Sequence, residues 1–173
     1  MTEYCQGERT VPAWAMGELE EDGSGDKNLT DVVNIIYVKK LDRQQILEAL
    51  KKGRFYVAIN LSNCTPLVLE EFSISDESGT KTAMMSEEVS FAGDPVVNIR
   101  ISHEKPLDKN ITLKLIRNNE IIGEFSAISQ IKIDYKDTGL ERNKKYYYRI
   151  DAESQSGSHL ISNPIFFKKI SKQ

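Results

Sequence analysis

The chain carries two cysteines and two histidines in 173 residues, and that scarcity removes whole classes of chemistry. Cys5 and Cys64 stand in no C-x-x-C pair, so a finger-type structural zinc site is excluded. Two separate reduced thiols are expected, with one long-range disulfide as the alternative. His103 and His159 neighbour no G-x-S-x-G and no cysteine-centred motif, and both are expected at the surface or in turns. A P-loop and a dinucleotide fingerprint are lacking too. There is no basic excess: the net charge is −3, which gives no basis for a nucleic-acid or membrane partner. No apolar run approaches the ~18–20 residues that span a bilayer. The opening MTEYCQGERTVPAW has no apolar leader core, so the cytoplasm is the default expectation.

What the chain does contain is mostly period-two patterning. Val32–Lys39, VVNIIYVK, is dense in β-branched residues and reads as a strand buried on both faces. Leu41–Arg54 changes period. Asp42 is a good N-cap with Gln45 three residues on, Ile46, Leu47 and Leu50 share a face, and Gly53 follows Lys51 and Lys52 at the C-terminal end. This is the one substantial helix expected. From Phe55 onward strands follow at Phe55–Leu61, Leu67–Ser75, Glu87–Phe91, Val96–Ser102, Leu113–Phe125 (a hairpin turning at Asn118-Asn119), Gln130–Tyr135, Tyr146–Ser154 and Leu160–Lys168. Strands at this spacing with no helices between them predict an antiparallel sandwich.

The one unusual segment is Ala15–Asn28, AMGELEEDGSGDKN, with Glu18, Glu20, Glu21, Asp22 and Asp26 inside nine residues. Asp22, Ser24 and Asp26 fit the opening of an EF-hand loop, but Lys27 stands where the glycine belongs and Val33 where the bidentate glutamate belongs. A looser calcium loop is the remaining alternative. Gly23-Ser24-Gly25 precedes no helix pattern and so offers no dipole for a phosphate. Carboxylates at i and i+2 in a glycine-rich loop hold no fixed acid–base separation, and no catalytic residue is assigned.

Two resemblances go further. Gly139–Gly157, GLERNKKYYYRIDAESQSG, resembles the late strands of fibronectin type III domains, in which a corner tyrosine bonds back to the backbone near a leucine-containing turn; Leu140, Tyr146, Tyr148, Arg149, Ile150, Ala152 and Gly157 carry the likeness. Three blocks in order resemble the C-terminal part of PHP (polymerase and histidinol phosphatase) metallophosphoesterases. These are LDRQQILEALKKGRFY with Ala49, Leu50, Gly53, Arg54 and Tyr56; LIRNNEII, Leu115–Ile122; and YYYRIDAE followed by HLISNPIFF, with Ser162-Asn163-Pro164-Ile165 the most distinctive piece. The fold expected is therefore mainly β, an antiparallel Ig/fibronectin-like β-sandwich with one α-helix and an N-terminal βα remnant. Residues 1–61 would hold the extension and βα piece, and 62–173 the sandwich.

The PHP resemblance implies that Glu18 stands where a metal-binding Asp would be and Glu20 where a His would be, a degenerate edge of a metal site that is solvated in this chain. Replacing the imidazole by a carboxylate removes the donor that suits Mn, Zn or Fe, the divalent metals expected for the parent family. The family's His-x-His has no counterpart here, and a hydrolytic site needs several ligands and a held water. The chain alone is expected to hold no cofactor and to be inactive, its partner being the missing catalytic PHP domain in cis or in trans. Arg54 would face a phosphate in the parent enzyme, or else is a plain surface residue after the helix. The alternative is a free-standing fibronectin-type binding or adhesion module.

Overall fold

The computed structural model describes residues 1–18, 31–60 and 64–171, and its alternating strands form two mainly antiparallel sheets. The larger runs β1 (Val32–Ile36), β2 (Phe55–Asn60), β11 (Ser158–Ser162), β10 (Lys145–Ser154), β12 (Ile165–Lys169) and β5 (Glu88–Phe91), with β7 (Asn110–Arg117) on the other edge of β10 and β8 (Glu120–Ile128) beyond it. The smaller sheet runs β4 (Thr82–Met84), β3 (Leu67–Ser75), β6 (Val96–His103) and β9 (Gln130–Lys136). One pairing, β12 with β5, is parallel. The fold is a mainly β antiparallel sandwich with a βα piece at its N-terminal side. Residues 1–61 and 62–173 share the larger sheet, because β2 is hydrogen-bonded to β11 along Ser158–Ser162.

Alternation decides what fills the core. Val97, Ile99 and Ile101 of β6 are buried while their neighbours on the strand are half-buried. Leu113 and Leu115 of β7, and Tyr148, Ile150 and Ala152 of β10, join them in the intersheet cluster. Each such aliphatic side chain is worth roughly 1.5–3 kcal/mol of transfer free energy. The β7–β8 hairpin turns at Asn118 and Asn119, both at positive φ (49° and 72°), as a two-residue turn requires. The corner bond anticipated by the fibronectin resemblance is present: the Glu141 backbone N–H donates to Tyr146 Oη at 2.9 Å, and Leu140 beside it is buried.

Helix α2 (Arg43–Lys52) forms where the period changes. Asp42 Oδ1 accepts the Gln45 backbone N–H at 3.0 Å. Gln45 reaches back to the N–H of Lys40, also at 3.0 Å, two residues earlier than the usual capping-box partner. Gly53 ends the helix at φ 75°.

Residues 1–18 make a third layer. Tyr146, Tyr147 and Tyr148, and likewise Ile165, Phe166 and Phe167, are buried in succession, which a strand shows only when both its faces are covered. The cover is α1 (Thr2–Gln6), whose Tyr4 meets the Phe166 ring edge-on at 4.8 Å, followed by Trp14, 6.2 Å from the same ring.

The structure departs from the sequence reading at four elements, the first being the run Leu160–Lys168, which is divided at Asn163-Pro164 into β11 and β12. α1 is a second helix, too short to show a period. β4 was not anticipated, since three residues carry no pattern. β1 is not buried on both faces: among the described residues it pairs only with β2 at the sheet edge, ends at Ile36, and leaves Ile35 39% exposed. Its run of β-branched residues reflects strand propensity rather than depth.

Candidate functional site

The segment leading to Glu18 lies on the outer face of the larger sheet, held by two asparagines. Asn163, fully buried between β11 and β12, accepts the Ala15 N–H on Oδ1 at 2.7 Å and donates from Nδ2 to the carbonyls of Ala15 (3.2 Å) and Phe55 (3.0 Å). Asn34 on β1 does the same for Gly17, accepting its N–H and donating to its carbonyl, both at 2.9 Å. Trp14 donates its indole N–H to the Lys51 carbonyl at 3.0 Å, one of the carbonyls that a helix end leaves unpaired.

The fit of this segment uses two glycines. A Cβ on Gly17 would lie 2.6 Å from Val57 Cγ1 and 2.7 Å from Val32 Cγ1, and one on Gly53 would lie 2.3 Å from the Trp14 ring. Glu18 leaves this clamp exposed, and among the described residues it joins no group of three metal-ligating side chains. Glu20, Asp22 and Asp26 lie outside the described residues.

Arg54 lies elsewhere, at a cleft of about 590 Å³ between α2, the end of β1, β3 and the β4–β5 turn. Tyr37, Leu69, Phe72, Met84 and Met85 give it an apolar lining. Arg54 Nη2 is 4.0 Å from Glu87 Oε1, with both side chains about half exposed. Glu48, Glu70 and Glu71 also line the cleft, against Lys39 and Arg54 as its cations. Four carboxylates against two cations oppose a phosphate and favour a cationic or apolar guest.

No family model, curated protein or solved structure matches this chain.

Both histidines are more engaged than their positions in the sequence suggest. His103 is buried, 6% exposed; its Nε2 is 2.7 Å from Ser154 Oγ, and its Nδ1 3.3 Å from the Ser129 carbonyl. In the neutral ring, a proton on Nδ1 would serve the carbonyl and leave Nε2 to accept from Ser154. This Ser–His contact closes one end of the sandwich. Sequence reasoning missed it because the last residue of a strand is indistinguishable from a turn residue until its partner strand is known.

His159 sits on β11 with its Nε2 2.6 Å from Asp151 Oδ1 on β10. Glu153 is directly opposite His159 in register. The ligand atoms of the three side chains all lie within 4.8 Å of one another. This group shares the outer face with the clamped segment, since Asp151, Ile161, Val57 and Asn34 stand in register across β10, β11, β2 and β1. The separation from Val57 to Asp151 is two strand spacings, about 10 Å. Neither cysteine adds to it: both are free thiols, and burial pushes Cys5 up to about 11.

The His159–Asp151 pair predicts a pH signature. The shared hydrogen bond holds Asp151 below its ordinary 3.8 and His159 above its ordinary 6.5. A base whose pKa rises on folding contributes fully below its unfolded value and loses that contribution as pH climbs through the folded one. An acid whose pKa falls contributes above its unfolded value and loses it as pH drops through the folded one. The pair therefore contributes fully between 3.8 and 6.5, by about 0.5–1 kcal/mol. Denaturant midpoints of the protein and of His159→Gln should differ most in that window and converge as pH climbs through the raised folded value of His159. A pH-independent difference would show that the pair is not coupled to folding.

Proposed function

We propose that this chain is the non-catalytic C-terminal portion of a PHP-like metal-dependent phosphoesterase, its sandwich an accessory domain. The observation that supports this most is the clamp. A plain binding sandwich has no need of a capped helix, an added β1–β2 pair and a buried asparagine that together hold residues 12–18. A region that carries the rim of a catalytic domain does. The segment so held is the one in which Glu18 stands at the family's metal-binding position. The remaining ligands, the His-x-His above all, and the divalent ion (Mn, Zn or Fe) would belong to the catalytic domain, joined in cis or bound in trans.

The test is functional. The purified chain given Mn²⁺, Zn²⁺ or Fe²⁺ is expected to hydrolyse no aryl phosphate, and a polypeptide bearing the His-x-His ligands is expected either to be continuous with it or to co-purify with it. Turnover by the chain alone that Glu18→Ala abolishes would overturn the reading.

The cleft at Arg54 favours a second reading, a free-standing fibronectin-type binding or adhesion module. That module would bind its ligand with no phosphoesterase partner present, and Glu87→Lys in the cleft would weaken its hold on a cationic ligand.

A further inference from the structure

We propose that Asp151, Glu153 and His159 form a binding site for one divalent transition ion of the zinc class on the outer face of the larger sheet. The inference goes beyond the phosphoesterase reading and stands or falls separately from it. The three side chains come from adjacent, fully paired strands: β10 lies between β11 and β7, and β11 between β10 and β2. Their Cα positions are therefore held by ladder hydrogen bonds rather than by a loop. Asp151 and Glu153 sit at i and i+2, which in a strand places them on one face. Ile150, Ala152 and Leu160 on the opposite face are fully buried in the core, so the three ligands point away from it.

The distances suit an ion. Ligands of tetrahedral zinc at ~2.0–2.1 Å are roughly 3.3 Å apart. The present spacings run from 2.6 Å between His159 and Asp151 to 4.8 Å at most across the group. Rotamer adjustments of half-buried and exposed side chains close that gap, with no movement of the strands. One imidazole and two carboxylates favour zinc and its neighbours over calcium or magnesium, which want six or more oxygens. Three protein ligands leave a position for water. The opposing charges are Lys114, in register with Asp151 on β7, and Arg149, two residues along β10. Both repel a cation, and Lys114 offers a direct test.

Calorimetric titration of the full chain with Zn²⁺ in a non-chelating buffer should show one saturable site. His159→Gln and Glu153→Gln should each weaken it roughly tenfold or more, a loss typical of a disturbed metal site. Glu153→Gln, at an exposed position, guards against a failure that is merely one of folding. Lys114→Gln should tighten binding, which a purely structural ion pair would not do. Glu18→Ala and the Cys5→Ser/Cys64→Ser double variant should leave it unchanged. Absence of a saturable site, or binding that is lost with Glu18 or with the cysteines, would overturn the proposal. An inactive chain that binds Zn²⁺ at His159 and Glu153 would uphold this site, and turnover dependent on Glu18 would count only against the phosphoesterase reading.

Discussion

Replacing Asp137 with alanine is expected to lower the unfolding free energy by about 3–5 kcal/mol, roughly 10 °C in Tm for a domain of this size. Asp137 is 3% exposed. Its carboxylate takes two hydrogen bonds from Arg117 Nη1, at 2.8 and 2.9 Å, and one from Tyr148 Oη at 2.6 Å. Tyr148 is fully buried, and burial together with the neighbouring carboxylate pushes its hydroxyl far above its ordinary value. Truncating Asp137 leaves that hydroxyl without its acceptor and the partly buried Arg117 guanidinium without its counter-ion. The desolvation already suffered by the partners is what makes the loss large, rather than the strength of the pair itself. Asp137→Asn keeps an acceptor for Tyr148 and should cost roughly half as much. A urea midpoint for Asp137→Ala close to that of the native chain would refute this account.

The interaction joins β7 and β10 to the segment after β9, and it illustrates what could be read in advance. Arg117, Tyr148 and Asp137 look like an ordinary strand end, a core tyrosine and a turn aspartate. Their meeting depends on which strands pair, and a single sequence does not encode pairing in any local pattern. Local rules did work where the physics is local. The α2 cap at Asp42, the left-handed Gly53, the Asn118-Asn119 turn and the Tyr146 corner each follow from residues a few positions apart. The alternation of β6 and β10 was legible because a face turned to the core demands it. The third layer was not. Residues 1–18 lack periodicity because they are held by asparagine side chains and by two glycines under Val57 and Trp14, and those contacts bridge up to 148 positions of sequence. The outer-face group was hidden for the same reason: Asp151 and His159 are unremarkable until the β10–β11 register sets them side by side. The acidic run that drew attention in the sequence contributes only Glu18 to the described structure.

Asn163→Ala is expected to release residues 12–18 from the sheet and to cost about 2–3 kcal/mol. Three hydrogen bonds are lost, but they are not equal. Ala15 is exposed, so water can take over its N–H and carbonyl. The Phe55 carbonyl lies under a fully buried side chain, and loses its Asn163 donor where water enters poorly. Most of the cost should therefore arise at Phe55, while most of the change in dynamics arises at Ala15. Amide hydrogen exchange separates the two. Ala15 N–H, bonded to Asn163, should lose protection in the variant, whereas Gly17 N–H, bonded to Asn34, should keep part of its own. Asn163→Asp should be worse than alanine: its carboxylate, at a fully buried position, would face the carbonyl oxygens of Ala15 and Phe55, acceptor against acceptor. If the aspartate variant were as stable as the native chain, or if Ala15 kept its protection in the alanine variant, the clamp would not be what holds the segment, and the strongest support for the accessory-domain reading would go with it.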